Sequence, residues 1–419
     1  MVDQNKKPIV VVGGGISGIT AAVEAAEAGG NVVLLEKDPW LGGRVFMLHK
    51  YFPKLCSPLC GMEINFQRIR NNPKIRVVTQ AEVESISGNA GNFTVRAKIK
   101  PEFINSNCTA CNKCVDVCPE QRSDDFNVGM TKTKAIYFRH PMSFPTHYAI
   151  DAGACKGESC SKCVPACEYK AINLSAKEKV EEIAASSVVY ATGWKPYDAS
   201  KIDYYGFGKI KNVVNNIMME RIASPSGPTR GKILRPSDNK EVKNIAFVQC
   251  AGSRDRNHLP YCSAICCLAS FKQATYVREM YPDSKVTIFY IDIRTPGKYD
   301  TFQQKIAADP GVNMVKGKVA KIEEDASTGD VLITAEHIFE GKKVVHKMDM
   351  VVLATGMEPN GAGTGTGIPL HNEDGFIALD QLNPGMFITG VAKNPTDVTN
   401  SLMDAMSTVI KTMKTGEGV

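Results

Sequence analysis

Short β-branched runs alternate with helical stretches from the start of the chain. Pro8 to Val12 is apolar at every position, the pattern of a strand buried on both faces of a parallel sheet. Glycines follow at once, then Ile19 to Ala28 with helical spacing, then a second apolar run from Asn31 to Leu35. Phe93–Ala97 and Asn244–Val248 read as further strands. Two later segments share one pattern, Val188-Val189-Tyr190-Ala191-Thr192-Gly193 and Met350 to Gly356, each with a proline three residues on (Pro196, Pro359). Met386 to Gly390 reads as a last strand and turn. Leu402, Met403, Met406, Val409, Ile410 and Met413 then share one helical face, which is expected to pack into the core. Alternating strands and helices of this kind predict an α/β fold with parallel sheets.

The length of 419 residues exceeds a usual single domain, so two or three are expected. The net charge of +6 is mild, and the locally basic stretch Lys98, Lys100, Lys113, Arg122, Lys132, Lys134 and Arg139 reads as a solvated face. No nucleic-acid motif accompanies it. No apolar run is long enough to span a bilayer. The chain is therefore expected in the cytoplasm, reaching a membrane only through a partner. The cysteines change the picture: eight of the fourteen fall between Cys108 and Cys167. In a chain without a secretory signal, such clustering points to metal or redox chemistry rather than disulfides.

Gly13-Gly14-Gly15-Ile16-Ser17-Gly18 fits G-x-G-x-x-G between a strand and a helix, and Glu36-Lys37 ends the next strand. Gly13 makes the turn, Gly15 admits a pyrophosphate and Gly18 permits close helix–strand packing. The helix N-terminus offers free N–H groups to phosphates. Glu36 can accept the ribose hydroxyls and argues against a 2′-phosphate. Leu41-Gly42-Gly43-Arg44 resembles the second glycine pair of two-dinucleotide-domain, thioredoxin-reductase-like flavoproteins. FAD is therefore the expected ligand, with Ala191, Thr192, Gly193, Gly356 and Gly390 among its contacts. Those flavoproteins usually carry Asp after the glycine equivalent to Gly390, whereas Val391 stands here.

Cys108-x₂-Cys111-x₂-Cys114-x₃-Cys118-Pro119 matches the bacterial ferredoxin run, and Cys155-x₄-Cys160-x₂-Cys163-x₃-Cys167 repeats it with a longer first gap. In such folds the fourth cysteine serves the other cluster. Cys108, Cys111, Cys114 and Cys167 are assigned to one [4Fe–4S] cluster, and Cys155, Cys160, Cys163 and Cys118 to the other. Zinc sites more often pair C-x₂-C units or add histidine. The domain division is 1–100 and 175–235 for the FAD domain, interrupted by a ferredoxin-like insert at 101–174. A degenerate NAD-type domain follows at 236–345, and the FAD domain returns at 346–419.

The second dinucleotide fold lacks its glycine loop. After Val248 the chain reads Gln249-Cys250-Ala251-Gly252-Ser253-Arg254, with cysteine at the first glycine position. A side chain there obstructs a pyrophosphate, so NAD(P)H binding is expected to be lost. Cys250, Cys262, Cys266 and Cys267 form a candidate third cluster site, with buried inert thiols as the alternative.

These motifs, with Pro260-Tyr261-Cys262-Ser263, Phe52-Pro53 before Cys56 and Cys60, and Tyr290 to Arg294, resemble HdrA, the flavoprotein component of heterodisulfide reductase. The shorter length resembles QmoA, of the quinone-interacting membrane-bound oxidoreductase complex. The resemblance implies FAD, several [4Fe–4S] clusters and work inside a multisubunit complex. In its Qmo form the partners are a QmoB-like flavoprotein and a QmoC-like haem-bearing membrane protein. That complex relays electrons between menaquinone and adenylylsulfate reductase in sulfate respiration. Lys272 is a candidate flavin-proximal residue, set against an ordinary surface lysine. Cys56 and Cys60 are read as passive or auxiliary. The competing functions are a heterodisulfide-reductase-type or bifurcating component, an NAD(P)H-dependent disulfide reductase using Cys56 and Cys60, and a non-enzymatic cluster sensor or scaffold.

Overall fold

A computed structural model describes residues 6–416 apart from 53, 362 and 364. Pro53 of the quoted motif thus lies outside the described residues. Five parallel strands form the first sheet, in the order Met386–Ile388, Ser187–Tyr190, Ile9–Val12, Val32–Leu35 and Ile75–Val78. The helices Ile16–Glu27, Pro58–Asn71 and Val398–Gly416 cover one face and share a core with it through Ile19, Val23, Phe66, Ala405 and Val409.

A second parallel sheet has the order Val213–Asn215, Met350–Thr355, Asn244–Ala251, Lys285–Tyr290 and Val312–Lys316. The sequence division placed Val213–Asn215 and Met350–Thr355 with the flavin domain, but their backbone pairing puts both in this second sheet. Short apolar strands carry no label for the sheet they join, which is why the pattern alone misplaced them. The two units are joined where Trp194–Pro196 pairs antiparallel with Met357–Pro359.

The cysteine-rich insert leaves the first unit through a three-stranded antiparallel sheet. Asn92–Ile99 pairs with Ala81–Asn89 on one side and with Lys179–Ala185 on the other. Residues 101–174 therefore depart and return on neighbouring strands, and the Ile104–Ile172 bridge continues the pairing. The insert has its own small core of Ile104, Cys114, Ile136, Tyr148, Ile150 and Ala171.

One expectation is corrected in the C-terminal helix. Met403, Met406 and Ile410 are exposed, at 62%, 46% and 63%. Val409 is buried as expected, and Ser401, Ala405, Thr408 and Thr412 are buried beside it. These small residues let the helix lie close against Ile16–Glu27, with Met413 packed against the core and Met403, Met406 and Ile410 turned outward. Among the described residues, no helix is long and apolar enough to cross a membrane.

Candidate functional site

The first glycine loop is built for a phosphate ligand. Gly13 has φ +110°, and a Cβ there would run into the Ala191 carbonyl. A Cβ on Gly18 would overlap the Gly13 oxygen, so helix and strand can meet only at glycine. Gly15 differs: the nearest foreign atom to its would-be Cβ is Gly43 Cα at 4.0 Å, which leaves an open cradle. Gly15 is also the N-cap of Ile16–Glu27, and no side chain caps that helix. Its first N–H groups are thus free for an anion.

Around this cradle, Glu36 is buried and accepts hydrogen bonds from Gly14 N at 2.7 Å and Asp38 N at 2.9 Å. Burial pushes its carboxyl up to about 7, with Asp38 adding to the shift. Lys37 is exposed. Gly42 and Gly43 both have positive φ, and Gly43 packs on Gly15. The Arg44 Nε donates to Trp194 O at 3.3 Å. Thr192 keeps a buried hydroxyl without a partner beside Ala191 and Gly193, a polar group suited to a ligand. Gly390 (φ +65°) touches Ser17. The Asp404 carboxylate, from the last helix, accepts from Gly390 N at 2.9 Å and Thr389 Oγ1 at 3.0 Å. Sequence reasoning missed it, because it looked for an acid next to Gly390 and the carboxylate arrives from 14 residues away. An uncapped helix, an open cradle, a buried acid and a free hydroxyl fit FAD.

Gly356, expected among the flavin contacts, packs elsewhere. A Cβ there would overlap Ser253 Oγ of the cysteine loop, and Met357 N donates to Ser263 Oγ at 2.9 Å. Its smallness serves that loop.

All fourteen cysteines are free thiols, and twelve sort by fours into three pockets. Cys108, Cys111, Cys114 and Cys167 line one of about 320 Å³. Cys118, Cys155, Cys160 and Cys163 line another of about 340 Å³. Each insert pocket therefore takes its fourth sulfur from the other run. Ala110, Asn112 and Ser161, which sit between ligand-type cysteines, all adopt left-handed φ. That curls the chain around each pocket. Gly157 N and Ala171 N donate to the Cys155 and Cys167 sulfurs at 3.3 and 3.4 Å. Among the described residues, no three His, Cys, Asp or Glu side chains converge on a point suited to one ion. Four sulfurs drawn from both runs around each pocket, with no histidine in the lining, suit a polynuclear cluster better than zinc.

Cys250, Cys262, Cys266 and Cys267 line the third pocket, of about 290 Å³, with Arg254, Asp292 and Arg294. Cys250 itself has φ +56°, so it keeps the left-handed backbone of the glycine it replaces. The strand bulges between Val248 and Ala251. Helix Cys266–Met280 does not begin until after a loop through residues 252–265, with Cys266 and Cys267 in its first turn. Ala264 N and Arg294 N donate to the Cys262 and Cys267 sulfurs, both at 3.4 Å. Burial pushes the Cys267 thiol up to about 11 and Cys114 up to about 12, and it pushes Cys266 up as well, with neighbouring thiols adding to each.

Lys272 is buried rather than a surface lysine. Its ammonium lies 3.0 Å from Glu220 Oε1 and donates to Lys50 O at 2.6 Å. Cys56 and Cys60 are exposed at the start of Pro58–Asn71 and join none of the three pockets. The basic stretch is largely neutralised by Lys98–Glu178, Lys100–Glu82, Lys113–Glu168, Arg122–Asp151 and Arg139–Asp38 pairs.

With these geometries in place, the chain is a FAD-dependent oxidoreductase of the two-dinucleotide-domain type. The FAD-dependent oxidoreductase family matches residues 8–49. Lactococcus lactis thioredoxin reductase shares the fold, with TM-score 0.53 and 12% identity, covering 99% of this chain and 100% of that one. More narrowly, the chain is similar to HdrA proteins. It is 36% identical, over 98% of its length, to the HdrA protein of the ferredoxin/F420H2-dependent CoB–CoM heterodisulfide reductase of Methanosarcina acetivorans. It is 35% identical, over 94%, to the second iron–sulfur HdrA protein of the CoB–CoM heterodisulfide reductase of Methanopyrus kandleri. The chain spans 53% and 62% of those relatives' own lengths.

Proposed function

We propose that the chain is an electron-relaying component of a larger complex, with FAD on the first glycine loop and a [4Fe–4S] cluster in each four-cysteine pocket. Flavin exchanges electrons in pairs or singly and clusters exchange them singly, so together they join two-electron to one-electron chemistry. The residues of this chain hold and tune these groups. The helix N-terminus at Ile16 and Gly15 takes the pyrophosphate, Glu36 the ribose, and N–H donors to Cys155, Cys167, Cys262 and Cys267 set the sulfur environment. The observation that carries the reading is the sorting of twelve cysteines into three sets of four.

Electrons enter or leave through partner proteins on this reading, not through a nicotinamide. Cys250 supports that view, because its side chain stands where the second fold would need bare backbone for a pyrophosphate. The relatives support a heterodisulfide-reductase-type complex as the setting. The narrower form is the Qmo one, with QmoB-like and QmoC-like partners, adenylylsulfate reductase and a place on the cytoplasmic face of a membrane. Anaerobic co-purification from the native source, with iron, sulfide and FAD counted, tests both levels. About twelve irons per FAD and co-eluting redox proteins are expected. Fewer than about eight irons per FAD, or flavin bleached rapidly by NADH alone, would overturn the relay.

A further inference from the structure

The loop between Gln121–Ser123 and Lys132–Lys134 reaches out of the insert into the seam between the other two units. Val128, at its tip, packs on the flavin-domain core and Met130 on the core of the second domain. Val128 and Gly129 both have positive φ, a conformation unusual for a β-branched residue and held here by the packing. Phe126 is 6.0 Å from Phe46 of the flavin domain, ring to ring. The Arg221 guanidinium lies 4.1 Å from its ring centre.

Arg221 is 1% exposed, with no carboxylate within ion-pair distance among the described residues. Asp124 and Glu220 favour its charge without touching it, and a buried guanidinium without direct carboxylate contact is costly unless its N–H groups are matched. Here Nε donates to Asn127 Oδ1 of the insert at 3.1 Å, and Nη1 to Met47 O of the flavin domain at 3.2 Å. Nη2 donates to Ser226 O at 3.0 Å. One side chain, rooted in helix Asn216–Ala223 beside the second sheet, thus ties three units at one point.

We infer that Arg221 and the Asp124–Thr131 loop form a strut that fixes the second dinucleotide domain against the flavin domain. The two domains are also linked by the slender Trp194–Pro196 and Met357–Pro359 crossing, the kind of connection about which paired domains turn, and by contacts of residues 49–50 with Glu220 and Lys272. The strut makes Arg221 a positioning residue: it holds the third cysteine pocket at a set separation from the flavin loop and the insert. In that sense it rests on the relay reading, since fixed centres suit electron transfer and swinging ones suit hydride delivery.

The test measures the joint directly. Spin labels carried on azido side chains, introduced in place of exposed Asn89 and Lys240 of the full chain, report the separation of the two domains. A single narrow distance distribution is expected for the otherwise unaltered chain, and a broadened or two-peaked one for Arg221→Ala. Arg221→Lys should fall between, because lysine keeps the charge over Phe126 but loses the forked bonds. Asn127→Ala and Phe126→Leu should also broaden the distribution, and they carry the test if Arg221→Ala does not fold. An unchanged narrow distribution in the folded variants overturns the strut. The distances do not depend on bound iron, so the result stands apart from the cofactor counts that test the relay.

Discussion

The Lys272 ammonium and the Glu220 carboxylate meet at 3.0 Å with side chains only 5% and 2% exposed. Glu220 also accepts from Gln273 Nε2 at 2.7 Å, His49 N at 3.0 Å and Tyr276 Oη at 3.2 Å. This closed network fastens the cysteine-bearing helix to the flavin-domain backbone at residues 49–50. Removing one partner strands the other charge. Lys272→Met is expected to cost about 3 kcal/mol or more of unfolding free energy. Adding Glu220→Gln to it should restore part of that loss. Urea unfolding of the two variants checks both statements, and equal losses in both would argue against charge pairing as the cause.

The two glycines of the first loop should fail in different ways. Gly18→Ala forces a methyl into the Gly13 carbonyl and should unfold or loosen the domain. Gly15→Ala meets nothing closer than 4.0 Å, so the chain should fold with an unchanged melting temperature. Its methyl would enter the phosphate cradle, and FAD should be lost on gel filtration. Retained flavin in folded Gly15→Ala would remove that cradle from the site.

Glu36 links stability to pH. Its carboxyl is raised from 4.5 to about 7 in the fold, so the folded state holds a proton that the unfolded state has released. The stability of the flavin-free protein should therefore fall as pH rises from about 4.5 through about 7, by up to about 3 kcal/mol from this group. Glu36→Gln should flatten that slope. Ribose hydroxyls donating to the ionised carboxylate should make FAD bind more tightly as pH passes 7, and Glu36→Gln should weaken binding roughly tenfold or more. Denaturation at pH 5 and 7.5, with FAD titrations, measures each effect.

Cys250→Ala should remove one pocket's iron and leave the flavin band and the insert's cluster signals intact. Iron counted per FAD should drop by about a third on the relay reading. Unchanged iron content would falsify the third pocket's assignment.

What the sequence disclosed follows from how local each signal is. The glycine loop, Glu36 and the two cysteine runs are short motifs whose spacing matches a ligand, and each can be read within a few turns of chain. The Glu220 and Arg221 joint has no such signature: Arg221 meets Met47 across 174 positions and Asn127 across 94. Gly356 shows the limit of a motif, since its strand-and-turn pattern is plain but the surface it abuts is not. The C-terminal helix shows the limit of periodicity. Spacing groups Met403, Met406 and Ile410 on one face, yet small Ser401, Ala405 and Thr412 are the buried ones, because small residues let two helix backbones approach.

Because Cys118 and Cys167 trade places between the two insert pockets, neither half of residues 101–174 would be a self-sufficient metal carrier on the relay reading. A deletion that trimmed away one half would leave the surviving pocket a ligand short. On that reading, descent with modification keeps or discards the pair together, and iron delivery during biogenesis waits until both halves have been synthesised.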